Sequence, residues 1–147
     1  EELKELLKDL DSLAREVAGA RPARDESLRD VTVYDYPPIA LHEVLMNAVI
    51  HRNYESSTTP IMINHFSDRI ELSNPGSLYG DLTLDHFPQG TAYRNPVLAE
   101  AAKTLGFVNR YGRGIALAEA ELKKNTSPSL DFDIGQNHLA VTIWRRP

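Results

Sequence analysis

Pro38 to Tyr54, PIALHEVLMNAVIHRNY, leaves this chain few choices. Read as a helix, it sets Glu43, Asn47 and His51 at successive i, i+4 steps. At roughly 100° per residue each step drifts by about 40°, so the three form one polar stripe. Ile39, Val44, Leu45, Ala48 and Val49 cover much of the remaining circumference. A helix apolar over most of its girth belongs in a core. A carboxylate and an amide carried on it need partners in a pocket or cleft, because burying them unpaired is costly. The segment therefore predicts a site as well as a core helix.

A chain of 147 residues is long enough to build one domain around that helix. Its net charge of -5 disfavours direct gripping of phosphate backbones by this segment. No cysteine is present, which excludes disulfides and thiolate chemistry and agrees with a cytoplasmic setting. No apolar run approaches a membrane span and no signal pattern opens the chain, so no membrane partner is expected. It starts at Glu1 rather than Met and reads as a piece of a longer protein.

Leu3, Leu6, Leu7, Leu10, Leu13 and Val17 repeat at threes and fours, predicting an amphipathic helix over Glu1–Val17. We assign residues 1–20 to this helix, as a remnant of or linker to a preceding region, and residues 31–147 to the main domain. The helix packs on that domain, on a preceding domain or on a partner. Ala18 to Asp30 reads as a loop or linker, and Val31 to Tyr36 as a short edge strand ending at Pro37-Pro38. Ile61 to Phe66 and Arg69 to Ser73 form a hairpin that Asn74-Pro75-Gly76 ends abruptly. Asn95-Pro96 opens a helix that Gly106 stops. An alanine-rich helix follows Gly112-Arg113-Gly114, and Leu130–Ile134 with His138–Trp144 makes a second hairpin. The sum is an α+β, two-layer sandwich, with helices on one face of a mostly antiparallel (mixed) sheet.

Three constellations carry candidate chemistry. Glu43 and Asn47 share a helix face, where a carboxylate orients or deprotonates water and an amide oxygen serves as a hard ligand for Mg²⁺. The plainer alternative is an asparagine satisfying backbone groups and a salt-bridged glutamate. Asn74-Pro75-Gly76 and Gly112-Arg113-Gly114 are glycine turns joined to regular elements, which let backbone N–H groups approach a ligand. The second opens a helix, whose N-terminus attracts anions. His42-Glu43 does not continue to H-E-x-x-H, since Met46 stands where the second histidine belongs. His51 lies about 180° round the helix from His42, which excludes a shared metal. No P-loop, dinucleotide fingerprint or nucleophile elbow is present.

The order of EVLMNAVIHRNY, DRIELSNPGSL and RNPVLAEAAKTLGFVNRYGRGI resembles the GHKL (Bergerat-fold) ATPases, which include DNA gyrase, MutL repair proteins, heat-shock chaperones and sensor histidine kinases. Within them it looks like the bacterial and archaeal RecG-like C-terminal branch of transcriptional regulators. These carry an N-terminal schlafen/Alba-type DNA-binding domain. The resemblance spans about Tyr36 to Ile115.

It implies ATP with Mg²⁺ as ligands, Glu43 as general base and Asn47 on the metal. His51 would stand near the phosphates, and Asn74 and Gly76 would stand for the turn that reads adenine. Gly112, Arg113 and Gly114 would present donors to the phosphates, under a lid drawn from about Ser77 to Asn109. The family has aspartate where this chain has Asn74, a neutral and weaker acceptor. The resemblance thus implies an ATP-binding domain that reaches DNA only through a missing N-terminal domain, with hydrolysis and a homodimer left open. The other reading is a degenerate, non-catalytic interaction or dimerisation module. Direct DNA binding would rest on Arg110, Arg113, Arg145 and Arg146 alone.

Overall fold

The computed structural model describes residues 1–52, 60–75, 96–107, 113–135 and 138–147. Helix α1 (Glu2–Val17) begins with Glu2 and Glu5 and has Arg15 in its last turn, an arrangement that complements the helix dipole. Its apolar stripe packs inward. Leu7 joins Met46, Ile50, Ala99 and Ala102 in one small cluster, and Ala14 enters the main core. Helix α1 is thus packed on the same body as the rest.

The stretch expected as a linker instead contains strand β1 (Ala20–Arg24), which pairs antiparallel with β2 (Asp30–Tyr34) in a two-stranded ribbon. Exposed ARPAR has neither apolar alternation nor strong β-propensity, so only its partner reveals it as a strand. Pro22 lies opposite Thr32, at a position whose N points away from β2, so the proline costs no ladder bond. Asp25 shapes the turn by accepting from the backbone N–H of Ser27 at 2.8 Å and Arg29 at 3.0 Å.

Helix α2 (Pro38–His51) opens with proline in its first turn and buries Ala40, Leu41, Val44, Leu45, Met46, Ala48, Val49 and Ile50. Glu43, Asn47 and His51 remain half-buried, as their stripe requires. Beneath α2 lies a four-stranded antiparallel sheet, order β3-β4-β6-β5. Its strands are β3 (Met62–His65), β4 (Arg69–Pro75), β5 (Asp131–Ile134) and β6 (His138–Trp144). Ile70, Leu72 and Asn74 alternate inward on β4, and Leu139, Val141 and Ile143 on β6. Glu71 and Thr142, paired across the opposite face, are only half-buried. One face is covered by helices, giving the expected two-layer α+β sandwich.

Two details differ from the expectation. β4 does not stop at Ser73 but continues through Asn74 and Pro75, which pair with Leu139 and His138. Pro75 is tolerated as the strand's last residue. β3, at the sheet edge, is exposed along its whole length, Ile63 included.

Helix α3 (Pro96–Thr104) ends at Gly106, whose φ of +81° closes the last turn. Gly106 N–H donates to Lys103 O and Phe107 N–H to Ala102 O, both at 3.0 Å, the pair of bonds of a Schellman cap. Helix α4 (Gly114–Lys124) packs beside α2, burying Ile115, Ala118 and Leu122. Asn125 caps its end and is itself buried. Its side-chain oxygen accepts from Tyr34 N–H at 2.9 Å, while its NH₂ donates to Tyr34 O at 2.7 Å and Ser127 Oγ at 2.8 Å. One amide thereby acts as an extra strand residue on β2 and ties the ribbon to α4. Among the described residues, no helix is long and apolar enough to cross a membrane.

Candidate functional site

The polar stripe of α2 meets the other motif blocks at two points. The first is the start of α4, which packs against α2 so closely that a Cβ on Gly114 would lie 2.7 Å from Glu43 Oε2. Glycine is needed there for the approach itself, since Gly114 is not in the left-handed region. Arg113 stands at the N-cap with no side-chain capping bond. The Glu43 carboxylate thus lies beside the unpaired N–H groups of a helix start, where negative charge is favoured.

Burial nevertheless raises the Glu43 carboxyl above its ordinary pKa, with nearby His42 drawing it part of the way back. The glutamate lines a cavity of about 440 Å³ with Asp11, Arg15, His42, Phe107 and Leu117. A half-buried acid beside an opening, pushed toward neutrality, is suited to exchange a proton with a ligand or water. Gly114→Ala tests the contact. The displaced atom is the end of a flexible side chain and alanine favours the helix, so folding should be preserved to within about 1 kcal/mol. Any turnover that needs the native Glu43 position should fall by about 10²-fold. Melting and turnover assays on the variant check both parts.

The second meeting point is Asn74. Its NH₂ donates to Ala48 O at 3.0 Å, so the amide caps a carbonyl in the last turn of α2, one residue beyond Asn47. The carbonyl partner fixes which end of the amide is which. Asn74 Oδ1 is then left fully buried as an acceptor with no hydrogen-bond partner among the described residues. Such a group is costly and demands an explanation. Asn47 itself is half-buried, and no side-chain hydrogen bond involves it among the described residues. His51 closes the helix one turn further on.

Of the expected site residues, Glu43 and Gly114 are in contact, Asn74 sits against the backbone beside Asn47, and Arg113 is exposed at the head of α4. Gly76 and Gly112 lie outside the described residues, as does most of the expected lid. Of the basic residues considered for DNA, Arg145 pairs with Asp35 at 3.4 Å and Arg146 donates to Asn125 O at 2.8 Å. Arg110 is not described. Among the described residues, no three His, Asp or Glu side chains gather as a metal cage.

Sequence reasoning weighed His42 only as a metal ligand. The structure gives it two other partners, Asp11 on α1 and the Phe107 carbonyl past α3. Nothing in the local pattern around His42 signals contacts to residues so distant in sequence.

A family model described as "Putative ATP-dependent DNA helicase recG C-terminal" matches residues 58–143. The match takes in Asn74 and the Gly112-Arg113-Gly114 turn, and begins after α2. No curated protein gives a significant match. Among solved structures, the DIP2311 protein from Corynebacterium diphtheriae superimposes with a TM-score of 0.82 at 22% identity, over 97% of this chain. The chain spans 30% of the length of that protein, and at this identity the likeness shows the fold. With more than half of its residues matched by the family model, the chain belongs to the RecG-like C-terminal, ATPase-like family.

Proposed function

We propose that this domain binds ATP with Mg²⁺ against the Glu43–Asn47–His51 stripe of α2, and that Glu43 activates water for hydrolysis. The observation that carries the reading is the contact between Glu43 and Gly114, which joins the acid to the glycine turn. Asn74 Oδ1 is an unsatisfied acceptor, but it is enclosed by protein, so a purine amino group would meet it only if the wall beside it opened. Asn47 offers one amide oxygen, and Mg²⁺ is commonly held by one or two protein ligands together with phosphates and water. When bound, the cation neutralises charge on the phosphates.

A phosphate at the start of α4 would face the Glu43 carboxylate. The repulsion would be offset by the Arg113 guanidinium, exposed at the head of α4. In that arrangement the helix start holds the anion, Asn47 orients the cation, and Glu43 holds or receives the proton of the attacking water. His51, Gly76 and Gly112 complete the binding set by resemblance. The domain would serve a cytoplasmic, DNA-associated transcriptional regulator, with DNA bound by another region and ATP or dimerisation gating it.

One observation favours a different reading. Asn74 already has a structural duty in capping α2, as it would in a non-catalytic interaction module of this fold. A thermal-shift titration separates the two. Ligand present at about 100 times its Kd stabilises the native state by about 2.7 kcal/mol, several degrees for a chain of this size. Mg-ATP is expected to give such a shift and GTP a smaller one, and Asn47→Ala should reduce the magnesium-dependent part. Absence of any shift at millimolar nucleotide would support the interaction module.

A further inference from the structure

His42 is held at both ends of its ring. Nδ1 lies 3.0 Å from Asp11 Oδ1 on α1, and Nε2 lies 2.8 Å from Phe107 O. Asp11 is steadied in turn by Arg15, whose guanidinium meets its other oxygen at 3.1 Å. Phe107 follows Gly106 directly, so its carbonyl is presented by the Schellman cap of α3. From that point the chain runs to Arg113 and Gly114, the residues that meet Glu43. His42 also immediately precedes Glu43 on α2 and lines the same cavity.

The ring therefore has a hydrogen-bonding partner at each nitrogen, a carboxylate at one and a carbonyl at the other. Asp11 and Arg15 from α1 and Glu43 from α2 are the charged groups lining the cavity beside the ring. From these contacts we infer that His42 is a positioning residue. It locks the exit of α3 and the docked face of α1 to α2, and so holds the start of α4 against the Glu43 carboxylate.

The inference deepens the nucleotide-binding reading and rests on it for its effect on turnover, whereas the clamp itself is measurable without nucleotide. Hydrogen exchange should be compared between the wild-type domain, His42→Phe, His42→Gln, Asp11→Asn and the Asp11→Asn/His42→Phe double variant. The clamp predicts that amides in residues 104–107 and 113–117 exchange at least about tenfold faster in His42→Phe, while β4 and β6 change little. Glutamine, able to reach one acceptor, should restore part of the protection.

Asp11→Asn should give a smaller loss in the same segments and add nothing to His42→Phe, because both act through one contact. If the wild-type domain turns over ATP, His42→Phe should lower kcat by about tenfold and shift KM less than threefold. Uniform acceleration that tracks global stability, or additive effects of the two substitutions, would overturn the clamp. Should the wild type bind no nucleotide, the functional reading falls and the exchange pattern alone decides the role of His42.

Discussion

Glu43→Gln is expected to lower ATP turnover by about 10²–10⁴-fold while leaving Mg-ATP binding nearly intact, because a general base contributes on that scale and the amide keeps the shape. The same substitution should make the domain more stable at neutral pH. The folded-state pKa of Glu43 is raised by burial, so the folded state holds its proton more tightly than the unfolded chain does. Above the folded pKa both states are ionised and the buried charge costs its full amount. As pH falls through the folded pKa and on to the ordinary carboxylate value, the folded state protonates first and the cost disappears.

Glutamine has no such charge, so its advantage should be present at pH 7–8 and vanish in acid. Because Glu43 is only half-buried, the gain is expected to be about 1–3 °C in Tm. Melting curves across pH, beside turnover assays, check both halves. Loss of turnover together with increased stability marks a residue kept for chemistry. A variant that melts lower at every pH would mark Glu43 as a structural group.

The largest stability effect belongs to Asn125. Alanine there removes partners from both the N–H and the C=O of Tyr34, at 2.9 and 2.7 Å, and frees the ribbon from α4. Stranding part-buried backbone groups costs about 1–3 kcal/mol each. With partial rescue by water, Asn125→Ala is expected to cost about 2–3 kcal/mol, or roughly 6–10 °C in Tm. Asn125→Asp should not restore it, since one carboxylate oxygen would then face the Tyr34 carbonyl. Thermal unfolding of the two variants, with exchange rates on β2, is the measurement.

Much of this was legible in the chain. α2 announced itself because its pattern is local: an apolar girth broken by three polar residues at one period. α4 and the β5–β6 hairpin were readable for the same reason, since glycine turns bound elements of clear periodicity. β1 was not, because a strand of arginine, alanine and proline becomes regular only when β2 lies beside it. The extension of β4 through Pro75 depends likewise on β6, and the exposure of β3 on its place at the edge of the sheet. For the site, sequence could name Glu43 and Gly114 but not their contact, which follows from how α2 packs on α4. Asn125 and His42 were invisible as anchors, because each acts on residues far away in the chain.

The orientation of Asn74 has a further consequence. With its nitrogen committed to a helix carbonyl, the position would not accept aspartate without rearrangement, for a carboxylate would set oxygen against oxygen at about 3 Å. An amide also carries no ionisable proton. Any ligand that met this amide would find no titration of the protein's own at that position.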